Sequence, residues 1–135
     1  MSDAAQVGER TAKVVQSAGL SAVYLASSDL THYGPAYHFT PLGVGMDGLK
    51  WAKENDRRLL KVFTEGFDAQ QVVPEVRERM NACGGGAIAA MLAACVELGA
   101  TKAALLRHAN SFETLAGVMP QKPVDAVGYA SVVVG

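Results

Sequence analysis

Apolar residues recur along the chain in two rhythms, and each change of rhythm marks an element. Within residues 5–18, Val7, Thr11, Val14, Val15 and Ala18 form one stripe, with Gln6, Glu9, Arg10, Lys13 and Gln16 elsewhere. That spacing predicts a helix, and Gly19 is its natural C-terminal stop. Residues 21–27 form a short apolar run that predicts a strand, too uniformly apolar for an edge facing water. Residues 28–45 read as a long loop rich in glycine, proline and aromatic residues. Long loops of this kind in a small domain tend to be functional.

Helical period returns over residues 46–65. Leu49, Ala52, Asp56, Leu59, Leu60 and Phe63 share a face, and Lys50, Lys53, Glu54, Arg57, Arg58 and Lys61 take the rest as a solvated surface. Asp56 is the one carboxylate on the apolar stripe, and the pattern offers no reason for it. Pro74 suits the first turn of a further short helix pointing Val76 and Met80 inward. Cys83-Gly84-Gly85-Gly86 then opens the most apolar helix, residues 87–98, which ends at Gly99. With alanine between Ile88, Met91, Leu92, Cys95 and Val96, this helix is expected to be sandwiched within the protein or against a partner. Residues 102–109 and 125–134 read as two more strands able to pair antiparallel, with residues 112–124 irregular between them. The order α-β-α-α-α-β-β points to a layered α/β fold with a small mixed sheet, one domain over residues 1–135.

Composition narrows the classes. Half of the 135 residues are hydrophobic and the net charge is −1, as in a soluble globular protein with no electrostatic pull toward nucleic acid or acidic membranes. No basic cluster interleaves with aromatics. No apolar run approaches the roughly 18 residues of a membrane span. Residues 1–6 lack the charged and apolar regions of a signal peptide. Two cysteines, Cys83 and Cys95, do not make a disulfide framework, and a reducing cytoplasm is the default.

The chemistry gathers where the apolar run ends, at Ser27-Ser28-Asp29-Leu30-Thr31-His32-Tyr33-Gly34. One loop can present Asp29 and His32 together, the carboxylate orienting the ring while the other nitrogen moves a proton. The plainer alternative is that Ser28 or Asp29 caps a helical turn and His32 is a satisfied core histidine. Cys83 precedes three glycines at a helix N-terminus, where unpaired N–H groups favour a thiolate that could attack or bind metal. Cys83, His32 and Asp29 are also the residue types of a cysteine hydrolase. Cys95 reads as inert core, and His38 and His108 as lone structural histidines. No CxxC, HExxH or close histidine pair is present.

Three stretches together resemble a family. The signature around Ser27–Gly34 is similar to the S-S-D-x-x-H-[YW]-G of MEMO-like proteins, which include the B component of the AmmeMemoRadiSam system. Cys83-Gly84 resembles that family's C-G, and Ser111 with Val127-Gly128-Tyr129-Ala130 its closing S…V-G-Y-A pattern. The resemblance implies a fold shared with class III extradiol dioxygenases and a non-heme iron or copper pocket. Carried across by position, Cys83 is a metal ligand, His32 the acid–base group, Asp29 its companion, and Ser28, Tyr33, Gly84 and Ser111 line the pocket. An unknown small molecule is the implied substrate, with dioxygenase-like oxidoreductase chemistry if the site is active. The resemblance spans only the C-terminal half of a family member, and the two histidine ligands of the N-terminal half have no counterpart here. A thiolate also departs from the two-histidine, one-carboxylate triad of the dioxygenases. The expectation is therefore a homo-oligomer or a missing N-terminal half, with a non-catalytic assembly domain carrying a vestigial site as the alternative.

Overall fold

The structure, a computed structural model, describes residues 3–135. Met1 and Ser2, which open the stretch expected to lack a signal peptide, lie outside the described residues. Among the described residues no helix is long and apolar enough to cross a membrane.

Among the described residues, five helices are layered with a three-stranded sheet, α2 and α5 lying directly against it, which bears out the layered α/β class. The elements run α1 (Asp3–Ser17), β1 (His32–Tyr33), a 3-10 turn (Pro35–Tyr37), α2 (Met46–Thr64), α3 (Ala69–Arg79), α4 (Gly85–Glu97), β2 (Ala103–Asn110), α5 (Ser111–Ala116) and β3 (Ala126–Val134). The expected face of α2 is the one that is buried: Leu49, Ala52, Asp56, Leu59, Leu60 and Phe63 all point inward, joined by Asn55. Leu59, Val72 and Leu92 are fully shielded at the centre of the main core, each worth about 1.5–3 kcal/mol of burial. A second, smaller core gathers Tyr33, Leu49, Ala52 and Ala126, with Phe39, Trp51 and Phe112 packed on it.

The apolar α4 is sandwiched, as its composition demands, between α1 and α3. Its alanines let α1 come so close that a Cβ on Gly8 would lie 1.9 Å from the Ala90 carbonyl oxygen. Asp68 caps α3 by accepting the Gln70 N–H, so this helix starts ahead of Pro74 and holds the proline inside it. Met80 ends α3 in the left-handed region (φ 51°) and is exposed, not turned inward. The segment expected to be irregular begins with α5, closed by a capping box in which Asn110 and Glu113 satisfy each other's backbone.

Strand order is β1-β3-β2. The pairing of the last two strands is antiparallel as expected, from Ala103 opposite Val134 to Asn110 opposite Gly128, with a bulge between Leu105 and Arg107. β1 also runs antiparallel to β3, His32 opposite Val127. The expected mixed sheet thus gives way to an antiparallel one among the described residues. The reason lies in residues 21–27, which read as a strand but have no ladder partner. Val23 and Leu25 are 96% and 91% exposed, and the chain joins β3 only at Leu30, whose N–H bonds Gly128 O at 2.8 Å. Beyond that point no described strand covers this side of β3. A cavity of about 570 Å³ separates residues 22–26 from Val132–Val134, floored by Met91, Cys95 and Leu98.

Candidate functional site

The rim is built from two loops. The first is residues 27–32, leading into β1; the second is residues 80–84, leading into α4. Their backbones are joined directly, since Cys83 N–H donates to Asp29 O at 3.2 Å. Ser28 locks the junction: its hydroxyl donates to Asp29 O (2.7 Å) and accepts the Gly84 N–H (2.9 Å). Only glycine fits at position 84, because a Cβ there would lie 2.7 Å from Ser28 Cβ and 2.8 Å from Ser27 O.

That junction puts the Cys83 sulfur against the first loop. The Asp29 N–H donates to Cys83 Sγ at 3.3 Å, and Ser28 Oγ lies 3.8 Å from the same atom. The thiol is exposed, so it is open to a ligand from solvent. On its other side Asp29 places Oδ2 3.7 Å from His32 Nε2, a contact longer than a hydrogen bond. The Tyr37 ring meets the imidazole edge-on with centroids 5.0 Å apart. Asp29 therefore touches both Cys83, through its amide, and His32, through its carboxylate. The thiol and the imidazole converge on one rim, and neither is in the core.

The remaining expected residues fall at varying distance from this rim. Gly84 belongs to it. Tyr33 is fully buried; its hydroxyl donates to Gly43 O and accepts the Leu42 N–H, which pins the long loop from inside the second core. Ser111 accepts the Val127 N–H through Oγ at 3.0 Å, bracing the strand that faces His32. His38 is exposed at the end of the 3-10 turn, in the left-handed region. Cys95 is partly buried and floors the cavity beside residues 22–26, not the core that its helical position suggested; its thiol contacts Met91 Sδ, and burial pushes it above the ordinary range.

His108 and Asp56 answer each other. His108 Nε2 lies 3.0 Å from Asp56 Oδ2, with both side chains almost wholly buried. The other carboxylate oxygen accepts the Thr31 N–H at 2.8 Å. The carboxylate on the apolar stripe of α2 thus sits under the signature loop. Next to it, Asn55 Nδ2 donates to Thr31 Oγ1 and Arg79 O, and Asn55 O accepts from Asn81 Nδ2. Asn55 and Asn81 were missed in the sequence; for Asn55 the signal was its place beside Asp56 on the buried side of α2, while Asn81, beyond the end of α3, carried none. Among the described residues no group of three or more His, Cys, Asp and Glu side chains could hold a metal.

A layered α/β body whose signature loop meets a Cys-Gly helix start defines a class of protein. The comparison with known families agrees: the Memo-like protein family matches residues 1–133, and this chain belongs to it. A MEMO1 family protein of Methanosarcina barkeri is 35% identical over 134 residues, covering 96% of this chain and 42% of that protein. Another from Thermococcus onnurineus is 35% identical over 114 residues, 82% of this chain and 37% of its own length. One from Methanocaldococcus jannaschii is 33% identical over 131 residues, 97% of this chain and 39% of its own. This chain therefore spans about two-fifths of the curated relatives it matches.

Proposed function

We propose that this chain supplies one wall of a non-heme metal or redox pocket, with Cys83 as a metal ligand and His32 as the acid–base group. The observation that carries this reading is Asp29, whose amide reaches the sulfur while its carboxylate reaches the imidazole. A thiolate is a donor that iron or copper accepts. The described residues contain no cluster of three or more metal-binding side chains around Cys83, so the reading requires further ligands from another polypeptide or another part of the protein. A metal held there would supply Lewis acidity or exchange electrons with a small-molecule substrate. The work of this chain is to present the sulfur, held by the Asp29 amide, and to move a proton at the His32 ring, kept in place by Asp29 and Tyr37.

The test is an anaerobic titration with Co(II) as a spectroscopic stand-in for iron. The expected result is a thiolate-to-cobalt charge-transfer band that is lost in Cys83→Ala and altered in His32→Ala. With free imidazole added to supply the ligands this chain lacks, a protein that gives no such band, or gives it unchanged without Cys83, overturns the reading.

A second reading, a non-catalytic assembly domain, is favoured by the uncovered apolar run. Val23 and Leu25 lie in open solvent beside the 570 Å³ cavity, an arrangement that invites another strand or another copy. This reading expects concentration-dependent association in sedimentation, weakened by Leu25→Asp. A monomer at every concentration counts against it.

A further inference from the structure

We propose that the buried Asn55-Asp56 pair on α2 is the positioning device of the rim, setting the first loop and the Cys83 loop at a fixed distance. The proposal rests on the reading of Cys83, Asp29 and His32 as the site, and adds residues that touch none of the reacting atoms.

Two successive residues of one helix hold both loops. Asp56 Oδ1 takes the Thr31 N–H at 2.8 Å, one residue before His32 and two after Asp29. Asn55 Nδ2 holds the Thr31 hydroxyl at 3.2 Å and reaches Arg79 O at 3.0 Å, at the end of the helix that leads to Cys83. The Asn55 backbone carbonyl takes Asn81 Nδ2 at 3.0 Å, two residues before Cys83. Asn55, Asp56, Thr31 and Asn81 are each no more than 2% exposed, so no solvent competes for these bonds. A helix of 19 residues is also a far stiffer mount than either loop, and precise sites are built on such elements.

The carboxylate is itself held from above. His108 Nε2 meets Asp56 Oδ2 at 3.0 Å. β3 crosses so tightly that a Cβ on Gly128 would lie 2.0 Å from that oxygen. Gly128 also exchanges backbone bonds with the first loop, its N–H donating to Thr31 O and its carbonyl accepting from Leu30. Thr31 is thus fixed through its amide, its carbonyl and its hydroxyl. Were the residue only packing the core, an apolar side chain would suit the stripe better, since burying a carboxylate is costly.

The experiment reads the rim without any metal: the alkylation rate of Cys83 at fixed neutral pH, with Cys95 as the internal comparison. Loss of supporting contacts of this kind changes a site about tenfold to a hundredfold. Asp56→Ala and Asn55→Ala are therefore expected to slow Cys83 alkylation about tenfold, as the Asp29 N–H drifts from the sulfur. Asp56→Asn keeps an acceptor for the Thr31 amide and is expected to rescue the rate to within about twofold. Val72→Ala, which opens a cavity in the main core without removing any of these hydrogen bonds, provides a destabilised control that leaves the rate unchanged. If Asp56→Ala does not fold, His108→Gln, which loosens the carboxylate without removing it, gives a smaller fall in the same direction. Unchanged alkylation in both Asn55→Ala and Asp56→Ala, or in His108→Gln where Asp56→Ala is not obtained, overturns the proposal. An equal fall in Val72→Ala also overturns it. Because alkylation involves no metal, a failed cobalt titration leaves this test standing.

Discussion

The three glycines after Cys83 look alike in the sequence, yet the structure assigns them opposite responses to an added methyl group. At Gly84 the new Cβ would meet Ser28 Cβ at 2.7 Å, Ser27 O at 2.8 Å and Ser28 Oγ at 3.0 Å. Carbon atoms rest at about 3.5–4.0 Å, so the loops must part by about 1 Å. That movement breaks the Gly84 N–H bond to Ser28 Oγ. Overpacking of this kind costs about 1–3 kcal/mol and the lost bond about 1 kcal/mol more, so Gly84→Ala destabilises by about 2–4 kcal/mol. Gly85 would meet the Val76 side chain at 3.0 Å. A side chain can give by a few tenths of an ångström, and the cost roughly cancels the helix preference of alanine. Gly86 would meet only Ala4 Cβ at 3.8 Å, an ordinary contact. Gly86→Ala is therefore neutral or stabilising by up to about 1 kcal/mol, the helix-propensity difference. Urea denaturation separates the three: at a slope of about 1–3 kcal/mol/M, the Gly84→Ala midpoint falls by on the order of 1–2 M. Equal shifts for Gly84→Ala and Gly86→Ala would refute the close approach of the two loops.

Other perturbations reach other parts of the same framework. Gly128→Ala drives a methyl group into Asp56 Oδ2 and is expected to cost at least about 1–3 kcal/mol, read as a lowered melting temperature. Tyr33→Phe removes the hydroxyl that bonds Gly43 O and the Leu42 N–H; amide exchange over residues 40–45 should speed up while α4 keeps its protection, with a stability loss of about 1–2 kcal/mol. Burial alone would push the Glu113 carboxyl up, but the Lys53 ammonium and the Asn110 amide hold it below the ordinary carboxylate range. A depressed folded-state value means this stability is present above the unfolded value of about 4.3 and lost as pH falls through the folded one. The stability gap between wild type and Glu113→Gln should therefore close in acid; a gap constant down to pH 3 on the order of one unit below that value would contradict the pairing.

Periodicity alone located the spans of α1, α2, α4 and the β2–β3 pair, because the repeat is a local property of the chain, but it turned α1 the wrong way: Val7 and Val14 are 60% and 70% exposed, and the small residues Ala5, Gly8 and Ala12 are the buried ones. The buried stripe of α2, from Leu49 to Phe63, follows the pattern residue for residue. The same logic misread residues 21–27: an apolar run shows that a strand would be favourable if covered, and here no described strand covers it. Pro74 likewise suggested a helix start that the Asp68 cap had already made. The Asn110–Glu113 capping box was written in the chain and overlooked because α5 is too short for its period to show.

For the site, the residue types and the signature loop were legible, since Ser28, Asp29, His32, Cys83 and Gly84 lie in two short recognisable stretches. That the two stretches share one rim followed from the family resemblance and not from the pattern of the chain, because the Asp29 N–H bond to Cys83 Sγ joins residues separated by the whole of α2 and α3. Nor could the chain alone explain Asp56, whose partners Thr31 and His108 come from opposite sides in sequence. Local patterns decide which side chains turn inward. Only the packed structure decides which buried polar group finds which partner, because a carboxylate deprived of water must be met by donors brought from elsewhere in the chain.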